Sequence, residues 1–459
     1  MTPKGVMVAR TKLTIGAVGL AIAAVVALDI TATSAPTAPA GPTPLSAVPA
    51  EALTKVAEAN GLPVTEVRRM ASGAHFEVDT HQRIRSVEPV PPPQEVAEEA
   101  AGPEIPPGTD VFALHSRADS DRTIYLDFTG HSVEGTAWND GARIDAPAFD
   151  GDGNPGEFND AEREKVYQAF LATAEDYSSF DVDVTTEEPA ADDITRDGED
   201  DDVYGTRAVI TPEDVTGCGC GGQAYVGVFN DANSHSDYQP AWAYANMDYS
   251  GKSIAEIISH ETGHNVGLSH DGQGADEYYQ GHENWGPIMG AGYYQPVTQW
   301  SKGEYSDATS TEDDLSIIPE HGVVTLTDDH ADTADGATSL ADNESGAGIV
   351  ATDDDVDVFA FDHTGGPLTV TALPAPYAAN LDIRLVIRDA SGAEVASVDP
   401  PVARVNDDEA TGLDAGFAQD LAAGTYTLSV EGVGFGDPAV NGYSGYASIG
   451  AYTLTAHSG

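Results

Sequence analysis

The segment HETGHNVGLSHD, residues 260–271, carries three of the 13 histidines of this 459-residue chain. His260 and His264 are four residues apart, so that a helix presents both imidazoles on one face. His270 would point away from that face if the helix continued. Gly267 can adopt a left-handed backbone conformation, which would end the helix and turn the chain back. The spacing therefore predicts that the three histidine side chains meet at one point.

Three neutral imidazoles with an open fourth position are the ligand set of catalytic zinc. The sequence therefore predicts a Zn²⁺ ion held by His260, His264 and His270. Glu261 lies one step further round the helix, where its carboxylate can reach a water on the ion without binding the ion itself. Zinc lowers the pKa of such a water to about 7, so Glu261 is the predicted catalytic base. A purely structural zinc site would normally use a fourth protein ligand.

The motif helix is predicted over GKSIAEIISHETGHNVG, with Ser253 and Glu256 as its capping box. Before it, the sequence interleaves helix and strand. A helix from Asp160 to Tyr177 is expected to begin at the N-cap Asn159. Aromatic and β-branched segments predict strands at residues 122–130, 180–186, 206–211, 224–229 and 241–247.

The pattern H-E-x-x-H-x-x-G-x-x-H resembles the metzincin clan of zinc endopeptidases. The next residue, Asp271, is similar to the adamalysin or reprolysin-like branch, which implies that this aspartate is buried and supports the domain. The clan also has a methionine turn below the zinc, and GPIMG supplies Met289 downstream. The segments DGNPGEFNDAE, FDVDVTT, AYVGVF and QWSKGEY resemble secreted bacterial zinc proteases of this kind. The resemblance covers roughly residues 120–318.

The resemblance has further implications for the site. A substrate strand is expected to pair with the edge strand AWAYANM, residues 241–247, and to lay its scissile carbonyl against the zinc. Some metzincins have a zinc-binding tyrosine two residues after the methionine, but this chain has Ala291 there, so a tyrosine ligand is not expected. Tyr293 and Tyr294 could line the substrate pocket. The N-terminal leader has no cysteine, which excludes a cysteine-based latency switch; a leader carboxylate or histidine could act instead, and the sequence singles out none.

The N-terminal 40 residues resemble a targeting segment. A basic start is followed by the apolar stretch LTIGAVGLAIAAVVAL and then by small residues, which predicts a signal peptide over residues 1–40. An uncleaved membrane anchor is the alternative. Residues 41–119 are predicted to be a pro-segment and Pro-rich linker without a core of their own, and a flexible spacer is the alternative. A secreted, extracellular zymogen without stable membrane association after signal cleavage is expected.

The predicted fold class is an α+β or α/β metzincin-like catalytic domain, with a mixed sheet and an active-site helix, followed by an all-β sandwich. The catalytic domain is assigned to residues 120–320. Residues 321–459 contain short strands separated by turn residues, which is typical of an antiparallel sandwich. Their texture resembles the pre-peptidase C-terminal domain of secreted bacterial proteases.

The chain is strongly acidic, with 76 Asp plus Glu against 20 Lys plus Arg and a formal net charge of −56. Such a surface repels nucleic acid, which is therefore excluded as a partner. A structural Ca²⁺ ion is a further expectation, and the Asp-rich segments 150–154 and 328–336 are the candidates. The two cysteines, Cys218 and Cys220, could bind a metal as a pair or form a small disulfide, and two thiols alone make a poor zinc site, so the disulfide is favoured.

The predicted function is a secreted zinc metalloendopeptidase that acts on proteins or peptides as a monomer. His260, His264 and His270 bind the metal, Glu261 is catalytic, and the supporting residues are Gly267, Asp271 and Met289. Two alternatives remain open. One is a binding or adhesion protein with an inactive zinc domain, and the other is a zinc amidase that acts on cell-wall peptides.

Overall fold

The computed structural model describes residues 42–91 and 102–459. The predicted signal peptide and residues 92–101 of the Pro-rich linker lie outside these ranges. No helix in the described part is long and apolar enough to span a membrane. The first described segment, residues 42–91, is called the leader below; its elements are β1 (Thr43–Pro44), α1 (Leu53–Asn60), α2 (Val64–Met70), β2 (Phe76–Val78) and β3 (Ile84–Ser86).

The leader has a compact apolar core, contrary to the expectation that it lacks one. Its helices and its β2–β3 hairpin bury Leu45, Val56, Val67 and Phe76 together with Val226 of the following domain. The apolar residues are spread over short elements separated by polar residues, so that no single stretch of the sequence shows the core. In the hairpin, β2 and β3 pair antiparallel, with Val78 opposite Ile84.

The central domain is a mixed α/β unit around a five-stranded sheet of order β7-β4-β8-β10-β9. Strands β4, β7, β8 and β10 are parallel, and the short edge strand β9 is antiparallel to β10. The elements are β4 (Arg122–Asp127), β5 (His131–Val133), β6 (Ile144–Ala146), α3 (Asp160–Asp176), β7 (Asp183–Thr185), α4 (Ala191–Ile194), β8 (Tyr204–Thr211), β9 (Gly222–Gln223), β10 (Ala241–Tyr244), α5 (Gly251–Asn265), β11 (Trp285–Pro287), β12 (Val297–Gln299) and α6 (Asp314–Glu320).

One predicted strand of this domain is absent, and another is present but does not lie at the edge of the sheet. The segment AWAYANM forms β10, which lies between β8 and β9 and is not the edge of the sheet. The segment AYVGVF, residues 224–229, is not a regular strand although its residues favour one. Its backbone turns at Gly227, with φ of 65°, and the amides of Gly227 and Phe229 donate to the carbonyls of His264 and Asn265 at the end of α5.

The two long helices begin at side-chain caps. Asn159 and Glu162 form the predicted capping box of α3. The predicted capping box of α5 is wrong: Ser250 is the N-cap and accepts from the amide of Ser253. Glu256 pairs instead with Lys252, at 2.6 Å between Oε1 and Nζ in the buried interior. An apolar core formed by both helices and the sheet holds α5 in place.

Apart from a short two-stranded ladder of β19 and β20, the C-terminal region consists of two packed sheets, β13-β15-β22-β17-β18 and β14-β23-β16-β21. Their inward side chains form a separate apolar core. All the strand pairs of these two sheets are antiparallel except β13 with β15. The strands are β13 (Thr338–Leu340), β14 (Ser345–Val350), β15 (Val356–His363), β16 (Gly366–Pro374), β17 (Ile383–Asp389), β18 (Glu394–Val398), β19 (Ala403–Arg404), β20 (Ala410–Thr411), β21 (Ala415–Leu421), β22 (Gly424–Gly432) and β23 (Gly450–Ser458).

This strand-rich region packs against the C-terminal end of α3. Asn380 donates from Nδ2 to Asp176 Oδ1 at 2.9 Å, and its carbonyl accepts from Gln299 Nε2 at 2.6 Å. The amide of Ala451 donates to Glu175 Oε2 at 3.4 Å. The contact therefore buries two acidic side chains, Glu175 and Asp176, at the end of one helix.

Candidate metal centre and active site

The structure brings the three histidines of the motif together in the interior, and a leader glutamate joins them. Ligand atoms of Glu88, His260, His264 and His270 lie within 4.8 Å of one another, which is an arrangement that could hold a metal ion. Glu88 Oε1 lies 2.9 Å from His270 Nε2 and 3.2 Å from His264 Nε2. Its Oε2 lies 3.4 Å from His260 Nε2.

The tautomers of two imidazoles follow from their other contacts. His260 Nδ1 lies 2.9 Å from the carbonyl of Ile288, and His264 Nδ1 lies 2.8 Å from the carbonyl of Leu268. A carbonyl oxygen has no proton to give, so each Nδ1 must be the donor. In the neutral rings, both Nε2 atoms therefore present a lone pair to the centre of the cluster.

These lone pairs face other acceptors. His260 Nε2 and Glu88 Oε2 are both buried without a hydrogen-bond partner among the described residues. His264 Nε2 and His270 Nε2 approach each other to 3.2 Å. Buried acceptors that converge on one point are stabilised by positive charge there, which a protonated His270 or a bound cation supplies. Three imidazole nitrogens and one carboxylate oxygen are a donor set that zinc accepts, so these residues fit the ion.

The residues between the histidines shape the turn that brings them together. Helix α5 ends at Asn265, and Gly267 has φ of 95°. A side chain at Gly263 would place its Cβ 2.6 Å from the sulfur of Met289, so that methionine lies directly beneath the helix between His260 and His264. Met289 is fully buried.

Asp271 is also buried. Its amide donates to the carbonyl of Met289 at 2.8 Å, and Tyr305 donates from its hydroxyl to Asp271 Oδ1 at 3.4 Å. Burial, with the nearby charge of Glu312, raises the pKa of Asp271 to about 7. The aspartate thus links the segment after the third histidine to the segment that contains Met289.

Glu261 points toward the edge of the sheet. Ser86 of the leader donates from Oγ to Glu261 Oε2 at 3.3 Å, and Oε1 has no partner among the described residues. A Cβ at Gly222, in β9, would collide with Oε1. The carboxylate therefore lies against bare backbone of the edge strand, where only glycine leaves room for it.

Burial and neighbouring charges shift the pKa values of the side chains in this cluster in opposite directions. Burial lowers the pKa of His264 to about 4. Burial acts in the same direction on His270, but the charges of Glu88 and Glu277 outweigh it and raise its pKa to about 9. Burial also disfavours ionised Glu88, yet the neighbouring His270 and His260 hold its pKa well below the usual range. Burial and the charge of Glu88 raise the pKa of Glu261 well above its usual value.

Three residues near the cluster were not identified from the sequence. Glu277 accepts at Oε1 from His270 Nδ1 at 3.2 Å, the arrangement that commonly orients a metal-binding imidazole. The hydroxyl of Tyr278 lies 3.2 Å from His270 Nε2. Glu88 is far away in sequence, and its one signal is that it is the only acid between Ile84 and Pro91.

A cleft of about 1250 Å³ opens beside the cluster. Its lining includes Phe76 and Pro89 of the leader and Tyr278, Ala291 and Tyr293 of the central domain. Tyr293 thus lies where the sequence suggested. Tyr294 is not a lining residue of this cleft, and Arg404 bonds to its carbonyl.

The other candidate sites do not contribute ligands to this cluster. Asp150, Asp152 and Glu162 have oxygens within 4.8 Å of one another, as do Asp328, Asp332 and Asp355. Cys218 and Cys220 are joined by a disulfide.

Comparisons with known proteins bear on the same region. The model of a family described as Metallo-peptidase family M12B Reprolysin-like matches residues 167–271. Residues 167–271 are similar to reprolysin-like metallopeptidases. The matched segment includes all of α5 and the three histidines, which supports a zinc metalloprotease. No match was found among curated proteins.

Several solved structures show slight similarity. One is the pre-peptidase C-terminal domain of a collagenase from Bacillus anthracis, with 17% identity over 26% of this chain and 93% of that chain and a TM-score of 0.19. A second is PliG of Aeromonas hydrophila, a periplasmic inhibitor of g-type lysozyme, with 11% identity over 26% and 96% and a TM-score of 0.17. A third is the surface-associated copper-binding protein CorA of Methylomicrobium album BG8, with 8% identity over 27% and 98% and a TM-score of 0.16.

Proposed function

We propose that the chain is a secreted zinc endopeptidase with a metzincin-like catalytic domain, made with a removable leader and active on extracellular proteins or peptides. His260, His264 and His270 hold the metal, and Glu261 is the general base. The observation that carries the proposal is the convergence of three buried imidazoles, two of which have their Nδ1 protons committed to backbone carbonyls. The match to reprolysin-like metallopeptidases over the same helix supports it.

A zinc ion at this position would polarise the scissile carbonyl and lower the pKa of an adjacent water. The carbonyls of Ile288 and Leu268 fix two of the imidazole rings, so that their Nε2 atoms are oriented before the metal binds. Glu277 does the same for His270. Gly267 and Met289 act as supports, because they set the turn and the floor below the helix.

Glu261 accepts the proton of the attacking water and transfers a proton to the leaving amine nitrogen. Its Oε1 has no hydrogen bond among the described residues, so that atom is available for the water. The negative charge of Glu88 raises the pKa of Glu261. Removal of Glu88 would therefore lower that pKa and favour the ionised base. The hydroxyl of Tyr278, beside His270 Nε2, is placed to donate to an oxygen at the reaction centre.

A substrate is proposed to bind in extended form along residues 221–226, next to β9. The leader strand already pairs with this edge, which shows that its backbone groups can accept another strand. The edge strand is thus β9 and not β10. Backbone pairing does not distinguish between substrate side chains. Pockets such as the cleft lined by Tyr293 would select them.

The test is digestion of casein by the protein after its natural processing, with the cut sites mapped by mass spectrometry. A chelator should abolish digestion and added zinc should restore it. His264→Ala should lose the metal, whereas His457→Ala, which changes a half-exposed histidine of the C-terminal region, should keep it. Cuts at ordinary peptide bonds of casein would also separate an endopeptidase from a cell-wall amidase. Absence of any cut by the zinc-loaded, processed protein would contradict the proposal.

A further inference from the structure

The leader forms an additional strand at the edge of the catalytic sheet. Its residues 84–88 run antiparallel to residues 222–226, with Arg85 opposite Tyr225 and Glu88 opposite Gly222. The Val226 amide donates to the Ile84 carbonyl at 3.0 Å, and the Glu88 amide donates to the Gly222 carbonyl at 3.0 Å. These hydrogen bonds use the same backbone groups that a bound peptide would need.

The same strand places Glu88 at the metal centre. This side chain is only 4% exposed, and its two oxygens reach all three imidazoles, at 2.9–3.4 Å. A catalytic zinc has three protein ligands and one open position for water or substrate. A carboxylate at this place takes that fourth position.

The leader also covers the catalytic base and the third histidine. Ser86 donates to Glu261 Oε2 at 3.3 Å. The ring of Phe76 stacks on the imidazole of His270, with 4.3 Å between ring centroids. One short hairpin therefore contacts the metal-binding side chains, the base and the edge strand at the same time.

Contacts outside the site hold the leader in this position. Arg69 donates to the carbonyl of His270 at 3.2 Å and pairs with Glu312 at 3.0 Å. Glu277 accepts from the amide of Ala74 and contacts His75 Nδ1, both at 2.8 Å. After Glu88 the chain leaves the site through Pro89, and Val90 is 57% exposed.

From these contacts we infer that the leader is a built-in inhibitor in which Glu88 is the fourth ligand of the metal and the strand Ile84–Glu88 occupies the substrate position. This inference rests on the proposed function of the same site. The leader has no cysteine whose thiolate could occupy the fourth metal position. The carboxylate of Glu88 occupies that position instead. Activation would then require the leader to dissociate after the chain is cut beyond it, which would remove Glu88 from the three histidines and leave the fourth position of a bound ion open.

The experiment compares the full chain with Glu88→Ala, Glu88→Gln and the control Glu51→Gln, which changes an exposed leader glutamate. Each is made with Glu261 intact and in a Glu261→Gln background that prevents self-digestion. The background proteins are loaded with Co²⁺, and two quantities are measured: the visible absorption spectrum of the cobalt and the rate at which 1,10-phenanthroline removes it. Proteolysis of casein is measured separately with Glu261 intact.

Both Glu88 variants should show a changed cobalt spectrum. They should also lose metal to the chelator at least about tenfold faster than the natural chain, because a tenfold change corresponds to the loss of one modest interaction with the metal. Glu51→Gln should match the natural chain in both. With Glu261 intact, uncut Glu88→Ala should digest casein faster than the uncut natural chain. Glu88→Gln keeps the size of the side chain, so that it remains informative if Glu88→Ala fails to fold.

Identical spectra and chelation rates in all four proteins would overturn the inference whatever the proteolysis result, as would an uncut natural chain that digests casein as fast as Glu88→Ala. Changed metal properties without proteolysis by any variant, or by the naturally processed protein, would support Glu88 as a metal ligand and overturn the proposed endopeptidase.

Discussion

Glu88 Oε1 lies 2.9 Å from His270 Nε2, although 182 residues separate the two in the sequence. The contact joins the leader to the third histidine of the motif, and the other oxygen of the same carboxylate faces His260. Since all these side chains are buried, the leader and the catalytic domain form one polar centre.

Gly222 tests the placement of Glu261 by the edge strand. Because a Cβ at this position would collide with Glu261 Oε1, Gly222→Ala should displace the carboxylate and lower kcat by up to about 100-fold, the effect of a small misplacement of a catalytic group. Zinc content should not change, since no metal-binding histidine is touched. Gly416→Ala, where nothing lies within 4 Å of the added Cβ, is the control. Full activity of Gly222→Ala would show that Glu261 does not need its observed position.

Local sequence patterns were sufficient for much of this arrangement. The spacing of His260 and His264 predicts one helical face, and Gly267 predicts the turn, because both depend on contacts within a few residues. The short strands predicted for residues 321–459 are also present, from β13 to β23. These elements form wherever local preference and burial agree.

Contacts between distant segments were not predictable in the same way. AYVGVF has strand-forming residues, but its backbone bonds to the end of α5 and to the leader instead of to a neighbouring sheet strand. The edge strand was misassigned because strand order depends on pairing and not on composition. Glu88 was missed since nothing local marks a carboxylate whose partners lie 172–182 residues away.

Processing of the leader should leave a defined N-terminus. The mature active protein should begin between Ala101 and Arg122. Arg122 starts β4, an interior strand of the five-stranded sheet, and a cut beyond it would remove a core strand. N-terminal sequencing of the active secreted form decides this. An active form that begins between Ala35 and Gly41 would show that the leader is permanent.

The buried acid Glu175 should make stability depend on pH. Burial, with the nearby charge of Asp176, raises the pKa of Glu175 to about 8. The folded state therefore favours the protonated form, so the stabilisation is complete below the unfolded pKa near 4.5 and is lost as pH rises through about 8. Between pH 5 and 8, the unfolding free energy of the natural chain should decrease by an amount on the order of a few kcal/mol. Glu175→Gln should remove this decrease.

The measurement is urea denaturation at both pH values in a Glu261→Gln background. Glu164→Gln, an exposed position on the same helix, should retain the full decrease. An equal decrease in the Glu175→Gln protein would assign the pH dependence to other groups, of which Asp176 is the nearest.

Calcium and salt should stabilise the chain in different ways. Asp355 is 7% exposed, and its Oδ1 has no partner among the described residues, while Asp328 and Asp332 lie close enough to share a cation with it. Millimolar or lower Ca²⁺ should therefore raise the melting temperature, and Asp355→Asn should abolish that rise. Screening of the net charge of −56 needs NaCl at tenths of molar or more.

Separate titrations with the two salts distinguish these effects, with Asp420→Asn as the exposed control. A response to NaCl alone would reject the calcium site, and a response to calcium alone would reject general screening.

The most direct measurement is casein digestion by the naturally processed protein and by Glu261→Gln, with zinc content determined for both. Glu261→Gln should keep about one zinc per chain, because the role proposed for the glutamate is that of a base and not of a ligand. Its turnover should fall by about 10²–10⁴-fold, the usual contribution of general acid–base catalysis. Digestion by zinc-loaded Glu261→Gln at the natural rate would contradict the assignment of this site as the centre of a zinc endopeptidase.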